Sequence, residues 1–126
     1  MNTVIAVAIG GAIGTVLRHG VNHAAARWIG LAFPWGTFIE NVAGCALMGV
    51  AATWFGHKTG LSPEWRAFIA TGLLGGFTTF SAFTLDFAQL MGEGQIARAA
   101  LYFAATLLLA VLGFYLGAGI TKFALS

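Results

Sequence analysis

Between its charged residues the chain runs uncharged from Met1 to Leu17, from Asn41 to Gly56, from Ala67 to Leu85 and from Ala99 to Thr121. Each run is close to the roughly 17 to 25 residues that carry a helix across a bilayer. Backbone amides and carbonyls have no water to bond in hydrocarbon, so such runs must close their hydrogen bonds internally as helices. The pattern therefore predicts an all-α membrane protein with four transmembrane helices. The second run extends backward past Glu40 to Pro34, because proline suits the first turn of a helix and Trp35 suits the headgroup layer. That places Glu40 inside the membrane.

Composition narrows the functions open to such a chain. Of 126 residues, 59% are hydrophobic and 8% charged, and the net charge of +2 comes from single, scattered residues. No basic run is suited to nucleic acid. No catalytic Ser-His-Asp set, nucleotide loop or HExxH pattern is present, so an enzyme is not expected. The single cysteine, Cys45, lies in an apolar run and reads as a small packing residue. The N-terminal run has no basic segment before it and no small-residue cleavage pattern after it, so it reads as the first span, not as a signal peptide.

Residues 1–126 read as one domain, with connections expected at Arg18 to Phe33, His57 to Glu64 and Gly92 to Gln95. One copy is too small to enclose a wide aqueous path, and no internal repeat supplies a second half, so a transport function implies pairing with a second copy. With four spans, Lys58, Arg66 and Lys122 fall on one side and Arg18, Arg27 and Arg98 on the other. Orientation follows an excess of Lys and Arg on the cytoplasmic side. A tie favours neither orientation, and insertion in both leads to an antiparallel dimer. Gly10, Gly11 and Gly14, and then Gly113 and Gly117, have the spacing of close helix packing.

The third span carries the densest chemistry, in the string TGLLGGFTTFSAFT from Thr71 to Thr84. A glycine pair among hydroxyls at mid-membrane points to a broken helix. Freed carbonyls there can hold a small cation, and amides and hydroxyls an anion. A continuous helix whose hydroxyls bond the preceding turn is the plainer reading. Phe80 and Phe83, three apart, share a helix face: lipid contact is their ordinary meaning, and positive ring edges meeting an anion the alternative. Asn41 must face protein, water or an ion, since an unsatisfied amide costs several kcal/mol in hydrocarbon. Thr106 raises the same question, with a bond to its own helix as the simpler answer. Arg18 can snorkel to the interface or draw anions into a vestibule. His19 and His23 have the spacing of a metal pair but no accompanying carboxylate or thiol.

These residues resemble the small fluoride channels known as Fluc or CrcB proteins over essentially the whole chain. The matching strings are GGAIGTVLR, PWGTFIEN followed by Gly44 and Gly49, and TGLLGGFTTFSAFTLD. The resemblance implies an antiparallel, dual-topology homodimer in the bacterial inner membrane, with a broken third helix and two pathways exporting fluoride passively. It implies that Phe80 and Phe83 line the pathways with Asn41 and Thr106, and that Arg18 lies by the vestibule. Asp86 matches an acidic position after the phenylalanine motif. It further implies a structural sodium ion at the dimer centre, held by backbone carbonyls of Gly75 and Thr78 from both subunits.

Glu40 departs from the family, which usually has an apolar residue there. Adjacent helical residues point about 100° apart, so Glu40 is expected to face away from Asn41, protonated or paired across the dimer. Ionised, it would repel fluoride and make conduction depend on pH. Ala110 replaces a family hydroxyl. The competing class is a proton-coupled small multidrug-type transporter using Glu40, although its hallmark glutamate belongs in the first span. A non-transporting membrane subunit is a third reading.

Overall fold

The computed structural model describes residues 2–57 and 60–126, and among them every regular element is helical. Helix α1 (Thr3–Trp28) and α2 (Trp35–His57) are continuous. The third span is split into α3 (residues 63–77) and α4 (Phe80–Gly92), and α5 (Ile96–Leu125) closes the chain. Four stretches, Thr3–Trp28, Trp35–His57, Pro63–Gly92 and Ile96–Leu125, are long and apolar enough to cross a membrane. Lys58, one of the six charges in the orientation count, lies outside the described residues.

The ends of the helices follow local chemistry. Asn2 Oδ1 caps α1 by accepting from Ile5 N–H at 2.9 Å, and Ser62 Oγ accepts from Trp65 N–H at 3.3 Å beside Pro63. Gly94, at φ 75°, makes the turn between α4 and α5. One expected boundary is wrong: α1 does not end at Arg18 but continues to Trp28, with the chain turning at Gly30, φ 120°. Nothing between Arg18 and Trp28 breaks a helix, and Arg18 and Asn22 find partners within the protein, so the charge is not a terminus.

The interior is organised by two pairs of helices, α1 on α3 and α2 on α5. Both contacts are backbone to backbone. A Cβ on Gly14 would collide with the Leu73 carbonyl, and one on Gly76 would lie 2.7 Å from the Gly11 carbonyl. Across the other seam a Cβ on Gly49 would strike the Phe114 carbonyl, and one on Gly117 the Ala46 carbonyl. The glycine spacing read from the sequence thus marks real close approaches, the usual way membrane helices gain dispersion contact where lipid is as apolar as protein. Ala67–Leu74, facing α1, is wound as a π-helix, a wide turn that often precedes functional sites.

Gly14→Ala should destabilise the protein by about 1–3 kcal/mol, because the wall it meets is backbone and cannot yield. Gly20→Ala, in the same helix but with nothing within 4 Å, should be neutral or stabilising by about 0.5–1 kcal/mol. Thermal unfolding in detergent of the two variants against the parent measures the difference.

Candidate functional site

The break in the third span falls at Thr78 and Thr79, just beyond the glycine pair. Both residues are extended, at φ −91°, ψ 154° and φ −153°, ψ 123°. β-branched threonine accepts that backbone readily, and the glycine pair stays helical, with Gly76 packed against Gly11 of α1. What stabilises the extended step is Asn41 of α2. Its Nδ2 donates to the Thr79 carbonyl at 2.9 Å, and its Oδ1 accepts from Thr79 N–H at 2.7 Å. The side-chain amide thereby imitates a neighbouring strand for one residue. Thr79 Oγ1 then caps α4 by accepting from Ala82 N–H at 3.2 Å.

These bonds divert two amides from the carbonyls they would serve in an unbroken helix. Thr79 N–H would have gone to Gly75 and Ala82 N–H to Thr78. The carbonyls of Gly75 and Thr78 are thus left without those donors, and the Gly76 carbonyl is taken instead by Arg18 Nε at 3.0 Å. The Thr78 hydroxyl is not available, since it donates to the Leu74 carbonyl at 3.0 Å. Freed, unprotonated carbonyl oxygens suit a hard monovalent cation, so the donor set is compatible with sodium.

On the far side of Asn41 lies a pocket of about 260 Å³, open along one side of the chain. Asn41, Cys45, Thr79, Phe80, Phe83 and Thr106 are among its lining. The sequence-predicted residues Asn41, Phe80, Phe83 and Thr106 are therefore brought together. Asn41 is 8% exposed and spends only one of its two amide N–H groups on Thr79. Thr106 is 6% exposed and its Oγ1 has no hydrogen-bond partner, contrary to the expected bond with its own helix. Phe80 and Phe83 have ring centroids 5.6 Å apart, but Phe83 is buried against Tyr102 and Phe103 while Phe80 is 74% exposed. The lining combines an amide, threonines and two aromatic rings, and no basic side chain is in it.

Glu40 points the other way, as adjacent helical positions require. It is fully buried, and Oε2 accepts from Asn22 Nδ2 of α1 at 2.8 Å while Oε1 has no hydrogen-bond partner. Its partner is thus within the same chain. Asn22 Nδ2 also donates to the Arg18 carbonyl at 3.1 Å, and Thr37 Oγ1 to Asn22 Oδ1 at 3.5 Å. Nearby, Tyr102 O–H donates to Asp86 Oδ2 at 3.1 Å. Arg18 neither snorkels nor lines the adjacent mouth of about 280 Å³, whose polar lining includes Asn22, Thr37, Asp86, Gln89 and Glu93. His19 and His23 are exposed on α1, and no group of three His, Cys, Asp or Glu is gathered among the described residues.

Sequence reasoning missed Asn22, Tyr102 and Cys45. Asn22 stands one turn from Arg18 and could have been found had the helix been carried past that charge. Tyr102 and Asp86 are single polar residues in apolar spans, a signal available but unpaired until the fold joined α4 to α5. Cys45 is one turn after Asn41, so its place on the same wall was implicit in helical spacing.

Residues 5–118 match the family model described as CrcB-like protein, Camphor Resistance (CrcB). A protein of Hyphomonas neptunium named fluoride-specific ion channel FluC is 48% identical over 118 residues, 93% of each chain. A protein of the same name from Rhodospirillum centenum is 44% identical over 126 residues, covering all of both chains. A third, from Methylobacterium nodulans, is 51% identical over 102 residues, 81% of each.

Asn22→Leu should cost about 1–3 kcal/mol or more, because it strips the buried Glu40 carboxyl of its hydrogen bond. Adding Glu40→Leu should recover much of that loss, since an apolar pair can replace a buried polar one. A double-mutant cycle read by thermal unfolding in detergent checks this, and additive losses would show that the pair is not coupled.

Proposed function

The chain belongs to the CrcB-like family, and on that footing we propose that it is a fluoride-selective passive channel of the bacterial inner membrane that exports fluoride and relieves its toxicity. It is a multi-pass membrane protein and not an enzyme. The observation that carries the reading is the pocket on α2, α4 and α5, whose lining gathers Asn41, with a spare N–H, two phenylalanine rings and Thr106, with its unpartnered hydroxyl buried in the wall. Fluoride is small and tightly hydrated, so a path that selects it must replace water at every step with donors. Full positive charges would bind it too long to release. Amide, hydroxyl and ring edges provide that intermediate strength. The multidrug-type transporter reading is not supported: relatives of this length and identity are named fluoride channels, and Glu40 is directed away from the pocket toward Asn22.

The working unit in this proposal is an antiparallel homodimer with two pathways. The pocket's open side and the 74% exposed Phe80 give each chain half a wall for a second copy to close. Two carbonyls, from Gly75 and Thr78, underfill the shell of a hard cation, and a two-fold axis doubles them. Sodium bound there would supply a fixed positive charge joining the two breaks. The tied Lys and Arg count supports insertion in both orientations.

Proteoliposomes should release fluoride rapidly and chloride not at all. Phe80→Ile and Asn41→Ala should each lower fluoride efflux by about tenfold or more, the worth of one contact to a charged ion. Absence of fluoride efflux from verified proteoliposomes would overturn the reading.

Conduction should also fall as pH rises. Glu40 is next to Asn41 in sequence and feels Arg18 from α1, Asp86 from α4 and the Tyr102 hydroxyl from α5. Ionising it adds a negative charge behind the path, which opposes an anion, and Arg18 offsets only part of that field. Glu40→Gln should remove this component of the pH profile of fluoride efflux; an unchanged profile would end the idea.

A further inference from the structure

A carboxyl sealed inside a membrane protein changes its charge only if a proton can reach it, and the contacts of Glu40 point to where that happens. Glu40 is fully buried and lines neither the ion pocket nor the mouth of about 280 Å³. Its hydrogen-bond donor Asn22 does line the mouth, so a single side chain separates the carboxyl from that space. Thr37, on the same face of α2 three residues before Glu40, is also in the lining and donates to Asn22 Oδ1 at 3.5 Å, the longest bond of the group. A Cβ on Gly36 would collide with Asn22, so glycine there lets the amide lie directly against α2 beside the carboxyl. No hydrogen-bond partner of Glu40 lines the ion pocket, because Asn41 takes that direction about 100° around the helix. The mouth is bounded by the α1–α2 connection at Gly30 to Pro34 and by Glu93 and Gln95 after α4. In a chain of four spans these two connections emerge on the same face of the membrane. Asp86 and Glu93 stand in the lining with no basic side chain beside them.

We propose that this mouth is the proton entrance of Glu40, with Asn22 as its seal, and that it is separate from the route taken by fluoride. The effect on conduction rests on the fluoride-channel reading, but the entrance itself does not. The acidic lining raises the local concentration of cations, hydronium among them. A hydronium ion in the mouth gives its proton to a carboxylate oxygen of Glu40, an O–H bond forms and water is left behind; release reverses the step. Asn22 acts by moving aside, because an amide has no proton to relay at ordinary pH, and a half-buried side chain at the rim of a cavity opens locally at small cost. The groups that face Glu40 and bias the exchange are Arg18 and Asn22 from α1, Asp86 from α4 and the Tyr102 hydroxyl from α5. Glu40 therefore follows the pH on one face of the membrane, the face of the α1–α2 connection, whatever anion occupies the pocket on the far side of Asn41.

The test is the rate at which the protonated carboxyl of Glu40 exchanges into heavy water, read by infrared difference spectroscopy of the purified protein. The band is assigned by its loss in Glu40→Gln and its persistence in Asp86→Asn. Ala32→Cys in a Cys45→Ser background places a single thiol in the mouth, and Ala110→Cys in the same background places one in the ion pocket. Each is coupled to a bulky charged thiol reagent, with labelling checked by mass. The label in the mouth should slow exchange by about tenfold or more, and the label in the ion pocket should leave it unchanged. Asn22→Ser, which thins the seal and keeps a hydroxyl for the carboxyl, should exchange faster than the parent. Slowing by the ion-pocket label to the same degree, or no slowing by the mouth label, would overturn the proposal. So would Asn22→Ser exchanging no faster than the parent, or a Glu40 band absent at every pH the protein survives. Since the readout needs no fluoride, a parent that moves no fluoride in proteoliposomes would sink the channel reading and leave the entrance to be decided by exchange.

Discussion

One side-chain amide holds the architecture around the pocket in place. Asn41 gives Thr79 both a donor and an acceptor, and so meets the backbone needs of a residue that has left its helix inside the membrane. Without that exchange, an extended residue at this depth would leave two backbone groups unsatisfied, at several kcal/mol each. Everything nearby follows. The helix restarts at Phe80 with Thr79 as its cap, which sets the directions of Phe80 and Phe83. The carbonyls of Gly75 and Thr78 are released from helical bonding because their amides are engaged elsewhere.

The break needs a rigid frame, and glycine supplies it. Backbone contact at Gly14 and Gly76 fixes α3 on α1 immediately before the break, and contact at Gly49 and Gly117 fixes α2, which carries Asn41, on α5, which carries Thr106. Arg18 reinforces the first of these pairs by bonding the Gly76 carbonyl. A basic residue deep in α1 is tolerable because a freed carbonyl is there to receive it, so the break and the charge stabilise each other.

Glu40 shows how helical geometry separates functions that are adjacent in sequence. Asn41 serves the break and the pocket, while Glu40, about 100° around the same helix, is sealed against α1 by Asn22. A buried carboxyl with one oxygen unbonded is costly on its own terms. In the proposed channel, its place behind the pocket is where a charge would act on a passing anion without obstructing it.

Four spans, the membrane as solvent and the broken third segment were legible in the sequence, because uncharged run length and isolated polar residues in apolar surroundings have few physical solutions; the meeting of Asn41 with Phe80 and Phe83 was implied only by the family resemblance. The extent of α1 was not, since Arg18 resembles a helix end until its acceptor is known. Nor was the position of the break: local propensity pointed to the glycine pair, but Gly76 is packed against α1 and the extended step falls at the threonines that Asn41 can reach. The partners of Glu40, Asp86 and Tyr102 and the exposure of Cys45 to the pocket depend on which helix faces lie together. Spacing within a helix fixes direction relative to that helix alone, and only tertiary packing decides what stands opposite.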